Sequence, residues 1–450
     1  MSSFFSGWDC KFLEFTIPKG SRVVFVGVGS NTAIDTELVK PFANARVLLL
    51  EEDVRKALLL ENFSQQFVAY DDLPDSLGDL DYIVLVDVLG QANDIQDVLR
   101  QINSVSQPYT RIVILGNNWL WKGLHSVLDV VGWKSRRLDK NWLTQRQLDL
   151  VSVVSGFEIV RSQTLVFFPF NVPLFGRLLN FIASWLPVIR NSGMRRYQVL
   201  RPAWKNPEFN SHDSLTIVIP TKNERGNIEN AIKRLPDFGV PTEVLFVDGN
   251  SSDGTETEIG RVIDAYPNMN IQFLRQTGIG KGNAVREGFD RAKGDVLMIL
   301  DADLTVPPED LPKFFEAIKS NIGELINGSR LVYPLEQDSM RFLNFLANHF
   351  FASIFTFLLN QPITDTLCGT KVLSRENYRK ICAEREFFGD FDPFGDFDLI
   401  FGAAKLNLKI IDLPIHYRSR QYGVTQISRF RHGLLLLRMV LFASRKLRIL

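Results

Sequence analysis

Cysteine, histidine and long apolar runs are all scarce in this sequence, and each shortage excludes something. The three cysteines, Cys10, Cys368 and Cys382, are too few for a disulfide scaffold and lack metal-ligand spacing. With no secretory leader at the N-terminus, they point to a reducing cytosolic setting. There are five histidines, and the motifs described below show no obvious pairing of one with a carboxylate. No stretch reaches the ~18 uninterrupted apolar residues of a membrane-spanning helix. Internal repeats and low-complexity tracts are also missing. The formal net charge is zero, and no nucleic-acid partner is expected.

What is present is a globular composition, 45% apolar and 23% charged, over 450 residues, which is too long for one hydrophobic core. A polar, Pro-containing connector, "RPAWKNPEFNSHDS", starts at residue 201. It divides the chain into residues 1–200, a linker at 201–213, residues 214–430 and a basic C-terminal helix at 431–450. Both large parts read as α/β. To the left, "SRVVFVGVGSN", "ARVLLLEED", "DYIVLVDVL" and "RIVILGNN" are short apolar runs ending in polar residues. To the right, "LTIVIPTKNE", "TEVLFVDGNSSDG", "IQFLRQ" and "DVLMILDADL" repeat the rhythm. Continuous apolar strands imply parallel sheets covered on both faces, and ligands in such sheets bind beyond the strands' carboxyl ends.

At one such end stand Asp301 and Asp303. In extended chain, side chains two apart point the same way, so both carboxylates can face one divalent ion, Mg²⁺ or Mn²⁺. A plain turn with a helix-capping Asp is the alternative, since "PPED" looks like a helix start. Neighbouring strand ends add Pro220, Lys222 and Glu224, then Asp248 and Asp253. "GIGKGNAVREGF" follows, a Gly-rich loop entering a helix with Lys281 and Arg286 on it. Backbone amides and a helix N-terminus suit phosphate.

In this order, and with "NGSR", "DTLCGTKVLSRE" and "PIHYRSRQYGVTQIS" downstream, the segment 214–430 resembles the inverting GT-A glycosyltransferases of family 2. The branch it is most similar to is the polyprenyl-phosphate one, the dolichyl-phosphate mannose and glucose synthases. Gly249 stands where that family more often carries a second acid. The resemblance implies a UDP- or GDP-sugar donor, a polyprenyl phosphate acceptor, and a metal on Asp301 and Asp303 that neutralises the leaving diphosphate. A phosphate nucleophile is already ionised at neutral pH, so no strong base is required. Arg330, Arg341, Lys371 and Arg420 are the cations expected around the acceptor phosphate and diphosphate. Asp396 is a further carboxylate for the site, or a helix cap.

Two acid-free stretches suggest a membrane surface. No acid follows Asp412, while eight Lys/Arg do. In the C-terminal helix Arg431, Arg438 and Arg445 form a basic stripe, with Leu434, Leu437, Leu441 and Phe442 on other faces. That suits the plane of an anionic membrane, and so a peripheral protein on its cytoplasmic face. A core helix with an Arg-bearing exposed side is the alternative. The second stretch, Ile159 to Pro207, carries seven Lys/Arg and is read either as resting on the bilayer or as packing between domains.

The left half resembles the class I S-adenosylmethionine-dependent methyltransferases, a Rossmann-like fold. By that resemblance Gly27, Gly29 and Glu51 or Glu52 contact the cofactor, and Asp71 and Asp72 lie near its adenine. Phe25 stands where the family's first motif usually has an acid, and Asn31 where it has a third small residue. The whole therefore reads as a metal-dependent transferase fused to a methyltransferase-like domain. The alternative is a family 2 enzyme acting on a saccharide hydroxyl, with Asp396 as base and the N-terminal domain a scaffold.

Overall fold

The computed structural model describes residues 2–28, 36–43, 45–51, 65–69, 79–130, 139–167, 179–180, 182–183, 186, 189–203, 212–334, 342–385, 397–420, 422 and 429–447. The chain divides into two compact units, Met1–Trp204 and Lys205–Arg448.

The first unit holds a seven-stranded sheet: β1 (Val23–Val28), β2 (Ala45–Glu51), β3 (Gln65–Ala69), β4 (Tyr82–Val86), β5 (Arg111–Asn117), β6 (Phe157–Leu165) and β7 (Arg195–Pro202). Their order is β3-β2-β1-β4-β5-β7-β6, and β7 alone runs against its neighbours. The order reverses at β1 and β4, the topological switch point of a doubly wound sheet. Each face has its own core, one around Phe25, Val84 and Tyr197, the other around Ile83, Leu99 and Ile112.

The cations of the acid-free stretch are part of this interior. All eight residues of β7 are buried. Arg195 donates to Asp9 and Asp87, both at 2.7 Å, and Arg201 to Glu158 at 2.7 Å. Arg161 donates to Thr16, at the end of the helix Ser2–Thr16, where the helix dipole favours a cation. The acids that pair with β7 lie elsewhere in the sequence, so this portion of the stretch is sheet core and not a bilayer-facing surface.

The second unit holds another seven-stranded sheet: β8 (Leu215–Thr221), β9 (Thr242–Asp248), β10 (Asn270–Arg275), β11 (Val296–Ile299), β12 (Leu325–Ser329), β13 (Lys371–Ser374) and β14 (Ile410–Pro414). The order is β10-β9-β8-β11-β13-β12-β14. The first four run parallel, and β13 is antiparallel to β11 and β12. The core is built on Ile217, Phe246, Met298 and Phe314. Gly288, on the helix Lys281–Arg291, packs so close to β8 that a Cβ would stand 2.5 Å from Val218. The helix is thereby pressed onto the sheet with its N-terminus at the strands' carboxyl edge.

Beside the sheet, the helix Phe342–Leu359 buries Phe351, Phe355 and Leu358 and packs on the helix Arg429–Leu447, which buries Leu436, Met439 and Ala443. The second helix starts two residues before the expected 431 and belongs to this unit's packing. Its Leu434, Leu437 and Leu441 are exposed. Among the described residues no helix is long and apolar enough to cross a membrane.

Candidate active site

The parallel strands of the second unit finish in register, with Thr221 beside Asp248 and Asp248 beside Arg275. The bodies of β8, β9 and β11 are largely buried and apolar, and a group of polar side chains gathers at this edge. Here the chain turns from β11 into Asp301-Ala302-Asp303.

That turn is fixed tightly. Leu304 sits at φ 52, a left-handed conformation that is costly for a bulky L-residue and collects at functional sites. Asp303 Oδ1 accepts from Thr305 N at 3.1 Å and Oγ1 at 2.9 Å, which offsets part of that strain. The loop after β14 is tied to the same turn, since Arg418 N donates to Thr305 O and Arg420 Nη2 donates to Asp303 Oδ2 at 2.5 Å. Arg420 Nη1 also lies 3.7 Å from Glu224. Burial raises the Glu224 carboxyl above its ordinary range, against the opposing pull of Asn227 and Arg420.

Asp301 faces a different cation. Lys281 Nζ lies 2.6 Å from its Oδ1. Burial works to raise the Asp301 pKa, but Lys281, with Lys371 and Arg330 behind it, outweighs this and lowers it. Lys281, Lys371 and Arg330 thus all bear on Asp301, with Arg330 itself paired to Asp365.

The downstream motifs build the wall behind this pair. A Cβ on Gly369 would stand 2.2 Å from Asp301 Oδ2 and 2.3 Å from Lys281 Nζ, so only glycine lets the 365–371 loop close on the two charges. A Cβ on Gly328 would stand 2.6 Å from Cys368 Sγ, which explains the small residue in "NGSR". Arg330 grips Asp365 through two hydrogen bonds of 2.7 and 2.8 Å. Asp365 is fully buried; burial alone would raise its pKa, but Arg330 and Asn348 bring it down to about 2. Lys371 is also fully buried and donates to Cys368 O at 2.5 Å. Burial pushes the Cys368 thiol up to about 12, which leaves it neutral and no nucleophile.

These placements revise several expectations. Arg330 and Lys371 are expected to touch phosphate, yet the first is paired with Asp365 and the second is fully buried and donates to Cys368 O. Asp248 is 1% exposed, and its carboxylate accepts from Ser251 N at 2.9 Å and Ser251 Oγ at 2.5 Å, shaping the turn. Asp253 likewise binds Thr255 and Arg225 N, bracing one turn on the other. Arg286 lies 3.7 Å from Asp398, because five residues along a helix rotate it about 140° from Lys281. Lys222 is exposed and Pro220 half-buried at the end of β8. Gly27 is buried in β1, and Glu51 ends β2. Arg341, Asp396, Gly29, Glu52, Asp71 and Asp72 lie outside the described residues.

Two residues emerge that the sequence reading passed over. Gln276 follows β10 and donates to Gly280 O and Asn283 Oδ1, both at 2.8 Å. Its Oε1 stands 3.0 Å from where a Cβ of Gly249 would be, so it fills the space beside that glycine. Its position one residue past a strand, like Lys222 and Gly249, was the available signal. His416 does face a carboxylate, with Nδ1 3.2 Å from Asp310, and it stacks on Tyr333. These partners are remote in sequence, which hid the pairing.

Divalent ions that work with phosphates use one or two protein carboxylates and take their other ligands from phosphate and water. Asp301 and Asp303 are two carboxylates at one strand end, each on its own cation. Among the described residues no group of three or more His, Cys, Asp or Glu could hold a metal.

Residues 216–382 match the model of Glycosyl transferase family 2. A dolichol-phosphate mannosyltransferase of Pyrococcus furiosus is 38% identical over 120 residues, 26% of this chain and 33% of that protein. A dolichyl-phosphate beta-glucosyltransferase of Dictyostelium discoideum is 28% identical over 233 residues, 47% of this chain and 68% of that protein. The chain thus covers a third of the first relative's length and about two thirds of the second's. Among solved structures, glucosyl-3-phosphoglycerate synthase from Mycobacterium tuberculosis, in complex with Mn²⁺, UDP and glucosyl-3-phosphoglycerate, aligns over 55% of this chain and 85% of that one, at 17% identity and a TM-score of 0.39. Agreement at that level transfers neither ligand nor mechanism.

Proposed function

For a chain that carries a family 2 glycosyltransferase domain, we propose a metal-dependent, inverting transfer of a hexose from a UDP- or GDP-sugar to a polyprenyl phosphate. The observation that carries the reading is the Asp301/Asp303 pair at a parallel strand end, with Lys281 and Arg420 on its two carboxylates. The relatives' printed names, one mannosyl and one glucosyl, leave the hexose open.

In this reading Asp301 and Asp303 hold the divalent ion, which when bound neutralises charge on the departing diphosphate. Lys281 and the N-terminal amides of its helix receive the phosphates. Lys371 and the Arg330–Asp365 pair stay fixed behind Asp301 and cost no reorganisation as charge develops. Before the donor binds, Arg420 ties the loop after β14 to Asp303. The acceptor phosphate arrives ionised, so no histidine base is required.

The exposed Leu434, Leu437 and Leu441, with the exposed Arg438 and Arg445 on the same helix, support docking on an anionic membrane surface where the acceptor resides. For the first unit, the sheet order supports a Rossmann-type ligand site at the β1/β4 switch point, with S-adenosylmethionine as the ligand to try first. Heat on titration with S-adenosylmethionine would support it, and none at millimolar ligand would leave a scaffold.

The transferase is tested by incubating the protein with Mg²⁺ or Mn²⁺, a short polyprenyl phosphate and labelled UDP- and GDP-sugars, beside Asp303→Ala. One donor should label the lipid, and the variant should fall by about two orders of magnitude or more, as expected for a lost metal ligand. Equal labelling by the variant rejects the assignment.

A further inference from the structure

Four cations surround the acidic pair, and they are held in two different ways. Arg330 and Lys371 are locked: the first is gripped at both guanidinium edges by a fully buried Asp365, and the second is itself fully buried. Lys281 and Arg420 are more open to solvent, and Arg420 also lies 3.7 Å from Glu224. Their side chains are 34% and 27% exposed, against 23% and 15% for the carboxylates they touch. They come from separate elements, one opening a helix after the left-handed Gly280, the other on the loop after β14. Each occupies a carboxylate oxygen that a divalent ion would need.

We propose that Lys281 and Arg420 are exchangeable counter-ions that make metal binding conditional on the nucleotide diphosphate. This deepens the transferase reading and rests on it. A divalent ion alone meets two cations already seated on its ligands and is opposed by both. A diphosphate supplies new partners for an ammonium and a guanidinium together with further oxygens for the metal. Lys281 moves from Asp301 to a phosphate, Arg420 loosens from Asp303, and the freed carboxylates take the metal. Donor and metal then bind as a unit. An acidic pair already neutralised in this way also resists capturing stray divalent ions that would have to leave before the donor could be seated. The locked pair behind stays in place throughout, so the positive field that attracts the diphosphate is never lost during the exchange.

The test measures Mn²⁺ binding by electron paramagnetic resonance in the full chain, with and without UDP and GDP, and needs no turnover. In the wild type, one nucleotide should tighten Mn²⁺ by on the order of tenfold or more, within the usual span of coupling between sites. Lys281→Met should bind Mn²⁺ without nucleotide about tenfold more tightly than wild type and lose most of the coupling. Lys281→Arg, which keeps the charge, should restore weak nucleotide-free binding, and Arg420→Gln should shift in the same direction as Lys281→Met. If Lys281→Met binds Mn²⁺ no better alone while nucleotide still tightens it, the hand-over is wrong and the metal assignment stands. If the wild type binds no Mn²⁺ with either nucleotide, both fall. Thermal melts of each variant show whether it is folded.

Discussion

Gly369 gives the sharpest perturbation, because replacing it with alanine removes no charge and no hydrogen-bonding group. The added Cβ would stand 2.2 Å from Asp301 Oδ2 and 2.3 Å from Lys281 Nζ, whereas ordinary contact begins near 3.4 Å. Something must give by about an ångström. Lys281 is a long side chain and can retreat. Asp301 is short and rooted at the end of β11, so its carboxylate must rotate or the 365–371 loop must lift. Lifting the loop pulls on the Arg330–Asp365 pair, which is buried and bidentate. Rotating the carboxylate is therefore the easier course, at the cost of overpacking, about 1–3 kcal/mol. Misplacing a catalytic group by about 1 Å typically costs about a hundredfold in rate. The Gly369→Ala variant should remain folded, melt a few degrees lower, and transfer sugar to lipid about a hundred times more slowly. Circular dichroism and the labelled-sugar assay read the two effects separately. Wild-type turnover in a folded Gly369→Ala protein would refute the placement of this loop against Asp301.

Asp365 makes a pH-dependent contribution of known sign. Its folded pKa is held down to about 2 from the ordinary 3.8, so the stability it adds is present above pH 3.8 and is lost as the pH falls through about 2. Asp365→Asn should be strongly destabilised at neutral pH, by about 3–5 kcal/mol for a broken buried pair, and its unfolding free energy should fall less steeply than wild type across that acidic window; parallel curves would contradict this. On the helix Arg429–Leu447, the double variant Leu437→Glu/Leu441→Glu should keep wild-type stability, because both side chains are already exposed. It should lose most co-sedimentation with vesicles containing anionic lipid, and unchanged co-sedimentation would remove this face as the docking surface.

The central parallel strands were legible in the sequence because they are largely buried and read as apolar runs. β1, β2, β4, β5, β8, β9, β10 and β11 all fall where those runs lie. Strands that break this pattern were hidden. β7 carries Arg195, Arg196 and Arg201 in eight buried residues, and its charges are balanced by Asp9, Asp87 and Glu158, acids that no local window contains. β13 opens with the buried Lys371 for the same kind of reason. At the site, residues that emerge directly from a strand end, such as Asp301 and Asp303, were readable because strand geometry fixes their direction. Residues whose role depends on a partner far along the chain were not. Arg330 reads as a phosphate ligand until Asp365 is placed on it, and the use of Gly369 appears only when Asp301 and Lys281 are brought against it. Motif spacing thus pointed to the strand-end acids, while the pairing of Arg330 with Asp365, Lys281 with Asp301 and Arg420 with Asp303 is a property of the tertiary structure.

The central claim is that Asp301 and Asp303 hold a divalent ion against the donor's diphosphate. The most direct measurement is a crystal grown with Mn²⁺ and the nucleotide diphosphate, with manganese located by its anomalous scattering. The account predicts a peak within about 2–2.5 Å of a carboxylate oxygen from this pair and of a phosphate oxygen, with Lys281 drawn from Asp301 toward the diphosphate. A nucleotide seated at this edge with manganese elsewhere, and both carboxylates still on Lys281 and Arg420, would contradict it.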